Sequence, residues 1–329
     1  MLFNERLRRI ASRSVAGLVA AGALVALASC GGGTYQKQAF VPARILSFGD
    51  EHSRMEGAQG LKYGINGISQ STLQIDCTLN PIWNQTVANS YGLVYQHCNV
   101  NANFETNAID LTTLGATVDD VANSVAAFTA GDTFNGNDLV TIWVGMHDVL
   151  NEYKANATGD DTVLLTDMKD QGIKLAGIVN QIENAGAKVI LVTIPDMSLS
   201  PFAYAESQKG DFDRLKLLQD MSTQFNLGLV TNFINDGSRI ALVQADDVVR
   251  NGVRNAPGNG FIALPNQSYA CLESAPLPTC TDTTLHNDPT SGQPTTSPHF
   301  LWADATHLGS AVQSQIGARA ANLAHSNPF

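Results

Sequence analysis

The sequence predicts an α/β domain, a mostly parallel sheet of about five strands with helices on both faces in a three-layer α/β/α sandwich. Two observations predict it. Short, nearly uninterrupted apolar runs recur along the chain, and segments with apolar residues at helical spacing alternate with them. Strands covered on both faces read as continuous apolar runs because neither face meets water.

The elements follow in order. Residues 44–48, 139–144, 189–194 and 240–243 are the best strands, and 108–111 is a weaker fifth. Val118, Val121, Val125 and Phe128 recur at helical spacing, and Thr117 with Asp120 makes a capping box. Leu175, Ile178, Val179 and Ile182 form a second stripe that ends before Gly186. Residues 215–229 read as a third helix, and 310–323 as the helix that closes the domain. Right-handed crossovers then put functional residues at the carboxyl ends of the strands. Two stretches break the rhythm: 56–103, rich in Gly and Asn with a short helix near Trp83, and 255–298, rich in Pro, Thr, Ser and Asn. Both read as excursions capping the functional edge of the sheet, since neither has the periodic apolar content for a core of its own.

The chain has 329 residues, 44% hydrophobic and 15% charged, which is a globular composition. A net charge of −11 argues against broad electrostatic attraction to nucleic acid or anionic lipid. At the start, Arg6, Arg8, Arg9 and Arg13 precede an apolar run over 15–28, too short to span a bilayer. The run ends in Leu27-Ala28-Ser29-Cys30, which resembles the bacterial lipobox. That resemblance implies a signal peptide over 1–29, a lipidated Cys30 and a place in the bacterial cell envelope. Residues 30–42, with Gly31, Gly32 and Gly33, read as a flexible tether, and 43–329 as one domain with its two insertions. A lipid anchor of this kind holds its protein on a membrane, and Gly31 lacks the Asp-type inner-membrane retention signal, which favours the outer membrane. Four further cysteines, Cys77, Cys98, Cys271 and Cys280, point to two disulfides in an oxidising compartment. Four cysteines allow three connectivities, of which sequence proximity favours Cys77–Cys98 and Cys271–Cys280. No Cys or His pair stands at zinc-ligand spacing, so no metal is expected.

The chemistry-bearing residues stand where strands end. The first strand runs into Gly49-Asp50-Glu51-His52-Ser53, and the strand at 139–144 into Gly145-Met146-His147-Asp148. Gly115-Ala116-Thr117 lies between them, Pro195-Asp196 and Pro201-Phe202 follow, and Asp304-Ala305-Thr306-His307 comes near the end. In order and interval these blocks resemble the GDSL/SGNH hydrolases over nearly the whole chain beyond the tether. The resemblance implies a flavodoxin-like sandwich, hydrolysis of carboxylic esters and no cofactor. In that family the serine of Gly-Asp-Ser is the nucleophile. The histidine of Asp-x-x-His deprotonates it and the aspartate orients the imidazole, while a glycine N–H, the serine N–H and an Asn side chain hold the oxyanion. Asp304, His307 and Gly115 match that pattern. Glu51 stands at the serine position and His147 at the asparagine position, so two family-defining side chains are substituted.

Three routes to hydrolysis remain open. Glu51 could be a carboxylate nucleophile, Ser53 could be a displaced one, or Glu51 and His307 could together activate water with His147 donating to the oxyanion. The competing class is an inactive homologue that binds an envelope lipid, glycan or protein partner. For an enzyme the expected partners are ester-containing small molecules, acyl lipids or acetylated glycans. Glu51 could also simply pair with His307 and raise its pKa. Asp50 is expected to hold the first loop, His52 to be structural, Trp302 to pack, and His286 and His299 to be exposed.

Overall fold

The computed structural model describes residues 39–99, 105–157, 161–235 and 237–326. The expected signal segment, Cys30 and most of the expected tether lie outside these residues. In chain order the strands are β1 (Arg44–Gly49), β2 (Met55–Glu56), β3 (Leu61–Lys62), β4 (Ala108–Asp110), β5 (Asp138–Trp143), β6 (Lys188–Val192) and β7 (Ile240–Val243). The helices are α1 (Trp83–Ser90), α2 (Val118–Gly131), α3 (Met146–Asn156), α4 (Thr162–Asn184), α5 (Pro201–Ser207), α6 (Arg214–Val230), α7 (Ala245–Arg254) and α8 (Ser310–Ser326).

Five strands pair in parallel in the order β4-β1-β5-β6-β7, while β2 and β3 form a separate antiparallel hairpin. Every residue of β5, the central strand, is buried. Alternation along the strands splits the core into two layers. Leu46, Phe48, Val140 and Ile142 face Val121, Leu175 and Phe225 of α2, α4 and α6. Ile45, Leu139, Trp143 and Ile190 face the other way, toward Trp83, Val248 and Ile316 of α1, α7 and α8. This is the three-layer sandwich the sequence predicts. At the start of α2 the Asp120 carboxylate accepts the Thr117 N–H at 2.9 Å, as the capping box requires.

Three helices had no counterpart in the sequence reading: α3, α5 and α7. Each is short; α3 begins within the Gly145–Asp148 motif and α5 at Pro201, while α7 follows directly on β7. The first insertion also differs from expectation. Its helix α1 does not merely cap the sheet edge, because Trp83 and Val87 are fully buried in the core layer shared with α8. Both disulfides, Cys77–Cys98 and Cys271–Cys280, follow sequence proximity. The two insertions are tied together by Asn66, whose side-chain amide donates to Pro278 O at 2.8 Å and Cys280 O at 3.1 Å. Beside it Ile65, Ile262, Cys280 and Phe300 make a small apolar cluster of their own. Among the described residues no helix is long and apolar enough to cross a membrane.

Helices α4 and α6 meet backbone to backbone. A Cβ on Gly228 would lie 2.1 Å from the Lys169 carbonyl oxygen, and one on Gly172 2.1 Å from that of Phe225. Alanine favours a helix over glycine by up to about 1 kcal/mol, but at Gly228 the methyl must push two helices apart, a cost of about 1–3 kcal/mol. Gly228→Ala is therefore expected to lower stability. Gly177→Ala, on the exposed side of α4 with nothing within 4 Å of its added methyl, is expected to raise it. Urea unfolding of both variants checks this, and shifts of the same sign would refute the close approach.

Candidate active site

The first strand leaves the sheet at Gly49, where φ is +133° and a Cβ would meet the Trp143 carbonyl oxygen at 2.0 Å, so only glycine fits. Asp50 then caps one 3₁₀ turn, Glu51–Ser53, by accepting the His52 N–H at 3.0 Å. The same carboxylate oxygen lies 2.9 Å from His52 Nδ1, and the buried His52 ring stacks on Trp143 at 4.7 Å between centroids. Both residues thus serve the loop as expected. Consecutive side chains of a 3₁₀ turn point about a third of a turn apart, so Glu51 and Ser53 cannot share a direction. Ser53 is buried, its hydroxyl accepts the Trp83 indole N–H at 2.9 Å, and its carbonyl accepts from Asn84 at 2.8 Å. The displaced-nucleophile expectation is therefore corrected: the Ser53 hydroxyl is engaged by α1, not by His307.

Glu51 collects three donors from three other segments. The loop after β4 follows the end of β1, with Thr113 N–H donating to Gly49 O at 2.9 Å, and delivers the Gly115 N–H to Glu51 Oε2 at 2.8 Å. His147, in the first turn of α3 just past β5, brings Nε2 to Glu51 Oε1 at 2.6 Å. Its neighbour Asp148 anchors that turn by accepting the Val118 N–H with both oxygens, at 3.2 and 3.1 Å. His307 reaches the same Oε1 through Nε2 at 2.8 Å, and its Nδ1 lies 2.9 Å from both oxygens of Asp304. Asp304 also accepts the N–H groups of Thr306 and His307, so an Asx turn sets the imidazole. The expected site residues Glu51, Gly115, His147, Asp304 and His307 are thus brought together. The expectation of no metal rested on local spacing; the fold instead gathers three metal-type ligands, Glu51, His147 and His307, from distant segments.

The electrostatics follow from burial and neighbours. Burial would raise the Glu51 pKa, yet hydrogen bonds and charge from His147 and His307 hold it far below the usual carboxylate range. Burial would lower the His307 pKa, but the charge and hydrogen bonds of Asp304 and then Glu51 push it up to about 10. His147 is raised as well, Glu51 outweighing its burial. Burial lifts Asp148 to about 6 against the opposing Val118 N–H. At neutral pH the cluster is a carboxylate held by the Gly115 N–H and His147, beside an imidazolium backed by a second carboxylate.

Sequence reasoning missed the support from α1, where Trp83 and Asn84 brace the first loop, since nothing local marks those two as partners of Ser53. It also missed a cavity of about 610 Å³ in the second insertion, lined by Tyr269, Leu272, Leu285 and Phe300 with Glu273 and His286. None of the site residues above lines it, but the segment carrying Tyr269 runs beside the Asp304 loop, Ala270 N–H donating to Trp302 O at 3.0 Å and Cys271 N–H to Ala303 O at 2.8 Å. Trp302 packs in the core and His299 is exposed, as expected, while His286 is half-buried against Tyr269.

Neither a protein-family model nor a curated protein matches the chain. Solved structures do. A member of the lipolytic protein G-D-S-L family from Veillonella parvula is 12% identical, with 85% of this chain and 97% of that one covered at a TM-score of 0.40. An acetylxylan esterase from Geobacillus stearothermophilus is 14% identical, with 88% and 96% covered at 0.41. An α/β hydrolase from the metagenome of Lake Arreo, Spain, is 14% identical, with 87% and 96% covered at 0.41.

The ion pairs give the site a pH signature. His307 is raised above its ordinary value, so its contribution to stability is complete below about pH 6.5 and is lost as pH rises toward about 10. Glu51 is lowered, so its contribution is present above about pH 4.3 and is lost in acid. Chemical unfolding between pH 6 and 10 should therefore show a steady alkaline loss of stability. Glu51→Gln should show a shallower one, because His307 then keeps only Asp304. Equal slopes would mean that Glu51 does not hold the His307 proton.

Proposed function

We propose that the chain is a carboxylic ester hydrolase of the bacterial cell envelope, anchored through Cys30 and working through Glu51 as a covalent carboxylate. The observation that carries this reading is the 2.8 Å contact between Glu51 Oε1 and His307 Nε2, with Asp304 fixing the far side of the imidazole at 2.9 Å. A charged oxygen stands in the nucleophile's place beside an intact His–Asp pair.

The chemistry divides into two steps. As Glu51 Oε1 bonds to the acyl carbon, His307 gives its Nε2 proton to the departing alcohol and a mixed anhydride forms. The His147 Nε2–H lies within reach of the reacting oxygen and can hold the substrate oxyanion. Neutral His307 then takes a proton from water while Asp304 keeps the Nδ1–H. The hydroxide adds to Glu51 Cδ, and the new negative charge collects on Oε2, where Gly115 N–H already donates at 2.8 Å. The substrate carboxylate leaves with the old Oε1, and Glu51 keeps a solvent oxygen and loses its proton to bulk water.

The Arg-rich start, the short apolar run and Cys30 support the envelope location, with Gly31 favouring the outer membrane. An anchor there puts acyl lipids and acetylated glycans within reach, and the cavity walled by Tyr269 and Phe300 beside the Asp304 loop offers a surface for an acyl chain or sugar ring. One observation favours a second reading. The oxyanion donors Gly115 N–H and His147 Nε2 are both occupied by Glu51 itself, as in a retired site that only binds a lipid, glycan or protein partner.

The test is turnover of activated short- and medium-chain esters by the full chain, beside His307→Ala and Glu51→Gln. Each variant should lose at least about a hundredfold in rate, and a single turnover in heavy-oxygen water should leave label in Glu51, read by peptide mass. Turnover with unlabelled Glu51 rejects attack at Cδ. Equal rates in all three chains at the level of buffer move the assignment to the binding reading.

A further inference from the structure

We propose that Glu51 Oε1, His147 Nε2 and His307 Nε2 form a binding site for a single first-row divalent cation, with zinc as its probe. The three ligand atoms lie within 4.8 Å of one another. Two imidazoles and one carboxylate are the donor set of catalytic zinc sites, which take three protein ligands and leave a fourth position open. Such donors favour zinc and its neighbours over magnesium or calcium, which seek more oxygen ligands.

The surroundings of Glu51 and His307 meet what a metal requires of them. A ligating histidine holds its other nitrogen on a carboxylate or carbonyl, which fixes the tautomer and aims the ring. His307 does so through Nδ1 and Asp304 at 2.9 Å, leaving Nε2 as the ligand atom. Gly115 N–H holds Glu51 Oε2 at 2.8 Å and so leaves Oε1 as the single ligating oxygen. Tetrahedral bonds of about 2.0–2.1 Å put ligand atoms about 3.3 Å apart. The present contacts of 2.6 and 2.8 Å from Oε1 must therefore open by roughly half an ångström. His147 can supply that movement, since its side chain is 19% exposed against 2% for Glu51. The ion displaces the Nε2 hydrogens that now point at Oε1 and takes up those lone pairs.

This site does not depend on the hydrolase reading, since the ion's contacts are the same with or without turnover. It bears on that reading in one way. The ion occupies both Glu51 Oε1 and His307 Nε2, so zinc is expected to suppress the covalent route and a chelator to restore it.

The experiment is calorimetric titration of the full, metal-free chain with zinc chloride, with bound metal counted by mass spectrometry. One equivalent should bind, and affinity should fall at least tenfold in Glu51→Gln and in His147→Ala. His286→Ala, which alters another partly buried histidine beside a carboxylate, should bind as the unaltered chain does. Cobalt substitution of the unaltered chain gives a second readout that needs no variant, an intense visible spectrum of low-coordinate cobalt. Absence of stoichiometric binding, or binding that both site variants leave unchanged, overturns the proposal. Ester turnover measured separately in chelator keeps the fate of the hydrolase reading distinct.

Discussion

A carboxylate that is 2% exposed has to find donors for both its oxygens or give up its charge. Glu51 finds three, and each arrives on a different stretch of chain. That requirement organises the carboxyl edge of the sheet. With β1 placed between β4 and β5, the loop leaving either neighbour passes over the end of β1. Gly115 comes from one of those loops and His147 from the helix that follows the other. The strand order therefore brings both donors to Glu51 before any side chain is chosen. His307 has no such strand beside it, and its position depends on the Asx turn at Asp304 and on α8 continuing directly from it. Removing Glu51 would leave two imidazoles and a backbone N–H facing one another without an acceptor.

The loop that carries Glu51 is itself held from below. His52 fills the space against Trp143, Asp50 closes the turn, and Trp83 with Asn84 fixes Ser53. The first insertion thus does two things at once. Its helix completes the apolar layer with α8, and its polar residues lock the turn that aims Glu51. Lys62 shows how a segment poor in apolar residues is kept in place. Its buried ammonium donates to the carbonyls of Cys77 at 3.0 Å and Leu79 at 2.5 Å, next to the Cys77–Cys98 disulfide, and burial lowers its pKa to about 8.

The sheet was legible in the sequence because strands buried on both faces must be apolar throughout, and 139–144 or 189–194 leave little alternative. The short helices were not. The α7 segment keeps Ala245, Val248, Val249 and Gly252 inside and charges outside, a pattern too brief to stand out beside longer stripes. The site was legible only through its resemblance to a family, since Glu51 is 64 residues from Gly115, 96 from His147 and 256 from His307. No local spacing encodes a convergence of that range, and for the same reason the cation ligands escaped a search for close pairs. Ser53 was a reasonable candidate by sequence because its distance from His307 depends on Trp83, thirty residues away.

In the proposed hydrolysis, a glutamate as the nucleophile would invert the part that a histidine plays beside a serine. A hydroxyl nucleophile must lose a proton, so its histidine has to begin neutral and act as a base. Here Glu51 is already ionised, and with Asp304 it places two negative charges against the ring of His307. The imidazole consequently holds its proton up to about pH 10 and begins as an acid. An acid is what the first step needs when the attacking group has no proton to give and the leaving alcohol must acquire one. In the proposed route, only Asp304 would still face the ring as a carboxylate after that transfer, since Glu51 would be an uncharged acyl group. The same imidazole would then be a base of more ordinary strength, at the moment when water has to be deprotonated. On the proposed reading, the Asp–His pair would serve either nucleophile unchanged, because the charge of the nucleophile sets the direction in which the proton first moves.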